Sequence, residues 1–297
     1  MLAIDAVRTY KTGMRESGPS RTALRVAVRR AAHQLFDVPK VLDDPVALRI
    51  IGEDAASRLA TQSNEHRGRI ARAFRAFMVV RSRFAEDELA RAIGRGVAQY
   101  VILGAGLDTF AYRNPYADAA LRVFEVDHPA TQEWKRGLLA AAAISVPSTL
   151  TYAPVDFEQR TLTDGLAEVR FDPQIPTLFS WLGVTMYLTG EAVDATLRFV
   201  ASTPRGGGIV FDYGVAKSRL GWTGRLALHA LSQRVAAAGE PFQTLFDPDE
   251  IQHRLVSFGF HSITDLGSGE LNARYFRDRT DGLCVSGDVG RVIGAEL

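Results

Sequence analysis

Apolar positions along this chain change period several times, and the changes mark its elements. Residues 20–36 gather apolar and small side chains on one face and Arg21, Arg25, Arg29 and Arg30 on another, which predicts a helix with a basic face and Ser20 as its N-cap. Residues 1–19, polar and glycine-containing, are expected to form a mobile arm. Asp43-Asp44-Pro45 marks a turn before the next helix start. A longer helix is predicted over 67–92, its stripe carrying Ile70, Phe74, Phe77 and Phe84, with Arg81 at the one charged step. From residue 98 the period shortens. The run Gln99-Tyr100-Val101-Ile102-Leu103, apolar or aromatic apart from Gln99, reads as a strand buried on both faces. Further runs at 121–126, 150–155, 177–184 and 209–211 predict strands, and helices are expected at 129–142, after Thr189, and at 248–258. Strands at 261–266 and 282–286 would finish the sheet as an antiparallel hairpin. Alternating strands and helices define an α/β chain.

One stretch breaks the alternation. Between 216 and 242, Leu226, Leu228, Leu231 and Val235 suggest a helix that must bury one face, an insertion that would lie as a lid over a pocket. His229 lies on it and has two readings, a structural histidine or a catalytic base.

The candidate chemistry clusters where strands end. Gly104-Ala105-Gly106 follows the first strand, allowing a sharp turn and a close ligand approach. Asp127 ends the second strand, 21 residues after Gly106, where an acid holds ribose hydroxyls in nucleotide-binding folds. The alternative is an Asp capping the helix that begins at Pro129. Thr109 occupies the position of a third glycine, and Asp108 would repel a pyrophosphate, so a cofactor with a positive centre, S-adenosylmethionine, fits better than a dinucleotide. Asp156-Phe157 follows the third strand: the acid can accept from an exocyclic amine and the ring can pack on a purine, unless Asp156 only caps a loop. Tyr187 and Tyr213, beyond the fourth and fifth strands, are placed near a substrate, and Tyr187 is a candidate for the reaction itself. Arg81, on a buried stripe, needs a partner: a nearby acid, or a ligand carboxylate gripped bidentately.

Composition narrows the classes. The 297 residues carry a net charge of +1, so no basic field recruits nucleic acid. A single cysteine, Cys284, excludes an internal disulfide and a multi-cysteine metal site, and no metal is expected; its apolar neighbours suggest a buried side chain. No run approaches a membrane span and no secretory signal opens the chain, so a soluble, cytoplasmic protein is expected.

The stretches VILGAGLDTFAYR, FEVDHPATQEWKR, VDFE and SWLGVTMYLT together resemble the leucine carboxyl methyltransferase-like family of class I S-adenosylmethionine-dependent methyltransferases, from about residue 20 to 282. The resemblance implies a single domain of Rossmann-like architecture: N-terminal helices to about residue 95, then a seven-stranded, mostly parallel sheet with an antiparallel edge hairpin and the helical lid. It also implies that Arg81, in RSRF, contacts the cofactor's methionine carboxylate, with Gly104, Gly106, Asp127, Asp156 and Phe157 completing the site. Where some relatives carry a glutamate near Leu182, this chain has Trp181-Leu182-Gly183, and Trp181 is expected to pack on the ligand instead. The family's best-known activity esterifies a carboxylate. Such an acceptor needs no general base, and no convincing base is evident here. The expected reaction is O-methylation of a small or medium, partly apolar acceptor. Rival readings are an NAD(P)-dependent oxidoreductase and a non-catalytic S-adenosylmethionine-binding module.

Overall fold

β1 (Gln99–Leu103) is buried along its whole length, as a strand between two parallel neighbours should be. The computed structural model describes residues 21–61, 66, 68–117, 121–157, 159–237 and 239–297; the expected N-terminal arm and the Ser20 cap lie outside them. β2 (Arg122–Asp127), β3 (Leu150–Pro154), β4 (Thr177–Trp181) and β5 (Gly208–Gly214) form a parallel array with β1. With β6 (His261–Leu266) and β7 (Gly290–Glu296) the sheet has the order 3-2-1-4-5-7-6, β7 running antiparallel to both of its neighbours.

The last strand departs from expectation. It lies at 290–296 and not at 282–286, and a helix, α10 (Ser268–Tyr275), separates it from β6, so no tight hairpin forms. Leu283 and Val285 are buried while Cys284 between them is exposed, an alternation that imitates a strand. Yet the Val285 backbone is matched by the Asn272 side chain, which accepts its N–H at 2.8 Å and donates to its carbonyl at 2.9 Å. No neighbouring strand is needed there.

Period-two alternation sends strand residues into two layers. Tyr100 and Ile102 join Val80 and Phe84 of α4 (Arg69–Gly94) on one face. Val101 and Leu103 join Leu166 of α6 (Leu162–Glu168), Leu197 of α7 (Gly190–Ala201) and Leu255 of α9 (Pro248–Ser257) on the other. A third cluster joins α1 (Arg21–Phe36), α2 (Ala47–Ile50) and α3 (Glu53–Thr61) to Leu107 and to Leu139 of α5 (Pro129–Ala141). This brings the N-terminal helices beside the glycine turn.

On α4 the stripe is rotated from the expected one: Ile70 is exposed, and Ala76, Val79, Val80, Phe84 and Leu89 make the buried face. Arg75 is buried there as well as Arg81. Its Nε and Nη2 donate to Asp37 at 2.6 and 2.8 Å, and His33 bonds the same carboxylate at 2.8 Å. Burial alone would raise the Asp37 carboxyl; hydrogen bonds from His33 and Arg75 and the Arg75 charge hold it below the usual carboxylate range. The lid helix, α8 (Trp222–Ala237), also differs from expectation. Only Leu228 is fully buried; Leu231 and Val235 are half-buried and Trp222 and Leu226 exposed, so this helix is held lightly.

Candidate active site at the carboxyl ends of the strands

Gly104 and Gly106 both take positive φ, 67° and 47°, so the sharp turn requires them. The side on which each lacks a Cβ faces protein. A Cβ on Gly104 would lie 2.5 Å from Val184 Cγ2, and one on Gly106 3.0 Å from the Ala23 methyl of α1. The close approach that these glycines permit is therefore by the loop after β4 and by α1.

Asp127 ties the turn to the end of β2. Its Oδ2 accepts from the Gly106 N–H at 2.6 Å and its Oδ1 from the His128 N–H at 2.7 Å. Burial pushes its carboxyl up, against these two bonds. Helix α5 is capped by His128, whose Nδ1 accepts from the Ala130 N–H, so the capping alternative for Asp127 does not hold. The Val155 N–H donates to the Asp127 carbonyl at 2.9 Å, which starts the loop that carries Asp156 and Phe157 from the end of β2. Asp156 accepts from the Gln159 side chain at 2.7 Å, and Phe157 packs partly buried against the core.

Arg81 meets an acid. Its Nη1 donates to Asp212 Oδ2 at 2.8 Å, while Asp212 Oδ1 accepts from the Gly183 N–H at 2.5 Å. The pair is buried, yet Arg81 Nε has no partner among the described residues. Gly183, at φ 77°, turns the chain out of β4 and lets the backbone pass the guanidinium; a Cβ there would lie 2.9 Å from Arg81 Nη2. This turn ends β4 at Trp181 and leads into the short 3-10 turn Thr185–Tyr187. Tyr187 lies in the field of Arg81 and Asp212 and packs on Phe242 beyond the lid at 5.6 Å. Burial first, then the charge of Glu240, pushes its hydroxyl up to about 12.

Other expected contributors are placed elsewhere. Tyr213 is a core residue whose hydroxyl donates to Asp265 at 2.8 Å, joining β5 to β6; this corrects its placement at a substrate. His229 is exposed on α8, next to the anchor Leu228. Trp181 is buried in the core, its ring 6.4 Å from that of Phe211. Asp108 gives one oxygen to the Phe110 N–H at 2.8 Å and the other to Arg30 at 3.4 Å, so its charge is answered from within the chain. Arg30 also bonds Asp44 at 2.5 Å and the Thr109 hydroxyl, which fastens α1 to the turn. Asp212 went unassigned in the sequence; an acid closing a strand opposite a buried arginine was the signal.

A parallel sheet with one reversed strand inserted near its edge, a glycine turn after β1 and an acid at the end of β2 define the class: a Rossmann-like fold of the methyltransferase type. A crystal structure of a DUF574 family protein from Streptomyces avermitilis superposes with a TM-score of 0.58 at 15% identity, covering 99% of this chain and 100% of that one. A provisionally described methyltransferase from Thermobifida fusca gives 0.56 at 17%, covering 98% and 97%. At these identities the likeness concerns the fold. In sequence, the family model for leucine carboxyl methyltransferase matches residues 23–201. YktD of Bacillus subtilis, provisionally described as an S-adenosyl-L-methionine-dependent methyltransferase, is 33% identical over 91% of this chain and 95% of its own. A relative from Saccharopolyspora erythraea, described in the same way, is 34% identical over 59% of this chain and 60% of its own. The chain belongs to the leucine carboxyl methyltransferase family of S-adenosylmethionine-dependent methyltransferases. That membership displaces the nicotinamide-dependent reading. Among the described residues no helix is long and apolar enough to cross a membrane.

Proposed function

We propose that this chain moves the methyl group of S-adenosylmethionine to an oxygen of a small or medium, partly apolar acceptor, either a carboxylate or an acidic hydroxyl. Tyr187 is the observation that carries this reading. With its hydroxyl pushed up to about 12 it stays protonated at neutral pH. It can donate a hydrogen bond to an acceptor oxygen but cannot take its proton. An acceptor already ionised needs no such base.

The residues fit the cofactor. Arg81 spends one donor on Asp212 and keeps an unpartnered Nε, which leaves donors for an amino-acid carboxylate. Each Asp127 oxygen takes one backbone N–H and retains a lone pair for a ribose hydroxyl. Asp156 and Phe157 are suited to the adenine edge and face. The cofactor supplies a methyl on a sulfonium, and the acceptor oxygen takes it in line as the sulfur leaves as a thioether. What the chain contributes is positioning: Asp127 and Arg81 fix the two ends of the cofactor, and Tyr187 orients the acceptor.

Incubation with methyl-labelled S-adenosylmethionine and a panel of carboxylic acids, phenols, alcohols and amines tests this. Label in an alkali-labile ester or a phenol ether is expected. Label only on nitrogen or carbon would overturn O-methylation.

A further inference from the structure

Five charged side chains alternate in sign between the glycine turn and α4. Asp108, two residues beyond Gly106, accepts from Nη1 of Arg30 on α1 at 3.4 Å. Arg30 Nη2 donates to Asp44 Oδ2 at 2.5 Å. The other Asp44 oxygen lies 3.5 Å from Nε of Arg113, the last residue of the 3-10 turn Phe110–Arg113. Arg113 Nη1 in turn donates to Glu86 Oε2 of α4 at 2.8 Å, and its Nη2 to the second Glu86 oxygen. Thr109 ties the middle together: its hydroxyl donates to Asp44 Oδ2 at 2.7 Å and accepts from Arg30 and Arg113. Arg30, Asp44 and Thr109 are buried, so each charge there depends on its neighbours for compensation.

The two ends of this row of charges reach the two halves of the cofactor site. Asp108 continues the turn whose Gly106 N–H is held by Asp127. Glu86 stands on the helix that carries Arg81, five residues further along, or about 7.5 Å of axial rise. Val80 and Phe84 pack α4 on β1, but apolar contact has no direction and tolerates sliding. Ion pairs with fixed donor geometry do not. Asp212 aims the Arg81 guanidinium, while the row of charges places the helix that bears it. We infer that Arg30, Asp44, Thr109, Arg113 and Glu86 are positioning residues that hold Arg81 and Asp127 at the spacing of a nucleoside extended by an amino acid. They thereby select S-adenosylmethionine and its product over the shorter nucleoside. This rests on the cofactor placement proposed above.

S-adenosylhomocysteine and 5′-methylthioadenosine share an adenosine thioether, and only the first carries the amino-acid end. Both are titrated calorimetrically against the full-length protein, its Asp44→Asn variant and its Glu86→Gln variant, with melting temperatures alongside. Glu86 is half-buried at the outer end of the row, so Glu86→Gln keeps the measurement available should Asp44→Asn not fold. Each variant is expected to lose about tenfold in S-adenosylhomocysteine affinity, the scale of one charge-assisted hydrogen bond, and less than about twofold in methylthioadenosine affinity. A loss shared equally by both ligands would show that the cluster holds only the glycine turn, and unchanged affinity for both would show that it serves the fold alone; either result overturns the inference. Wild type that binds the two ligands equally, or neither, would instead overturn the cofactor placement itself, and the inference with it.

Discussion

Asp127 and Asp212 play matching parts on different strands. Asp127 is the last residue of β2 and Asp212 lies two residues before the end of β5, and each accepts a backbone N–H from the loop of the neighbouring strand, Gly106 for Asp127 and Gly183 for Asp212. These carboxylates hold the two loops that shape the site. Asp127→Asn keeps one acceptor oxygen, so the fold should survive while S-adenosylmethionine binds about 10- to 100-fold more weakly, the scale of one or two charge-assisted hydrogen bonds; calorimetric titration measures it, and unchanged affinity would remove Asp127 from the cofactor site. Gly183→Ala places a methyl against the Arg81 guanidinium at a positive φ. About 1–3 kcal/mol of stability should be lost, together with cofactor affinity; denaturant melts and the same titration report both, and a neutral result would show that the loop is free to move. Asp127 was legible in the sequence because its spacing from the glycine turn is a local rule. Asp212 and the partner of Arg81 were not, because an ion pair between residues 131 positions apart is a tertiary fact.

Among elements, the strands of the parallel array were the most legible, since their burial leaves unbroken apolar runs; β1 occupies the expected residues. β4 ended early where Gly183 turned the chain. The 282–286 segment shows the limit of the pattern: alternation reports which side chains are buried and says nothing of what the backbone bonds to. The lid is the opposite case, with leucines at helical spacing and little for them to pack against. With Leu228 as its one buried residue, α8 should open locally well below the cost of global unfolding. Leu228→Ala should therefore speed amide exchange across Trp222–Ala237 and leave the exchange of β1 and β4 unchanged. Equal acceleration in the sheet would mean that the lid unfolds only with the whole molecule.

For the whole molecule, pH acts through two sets of buried acids with opposite signs. Asp37, by hydrogen bonds from His33 and Arg75, and Asp44, by the charges of Arg30 and Arg113, are held below the usual range, although burial opposes this. Their contribution is present at neutral pH and is lost as pH falls through the folded values. Glu125 behaves in the reverse way. Burial raises it from 4.5 to about 7 even though Lys135 lies 2.6 Å away. The folded state holds this proton more tightly than the unfolded one, so Glu125 makes stability fall as pH rises from about 4.5 to 7. Denaturation across this window should slope downward in wild type and be flatter in Glu125→Gln, whatever the variant's absolute stability. An identical slope would show that Lys135 keeps Glu125 ionised throughout.

The position of β7 has a consequence for the order of assembly during synthesis. It is made after β6 yet lies between β6 and β5. Until residues 290–296 leave the ribosome, β6 has no strand to join and β5 presents a bare edge of unpaired backbone groups. The nascent chain must then wait with its parallel half formed and its antiparallel half unplaced. A chain stopped before Gly290 should be recovered as aggregate, although every residue proposed here to touch cofactor or acceptor would already have been made.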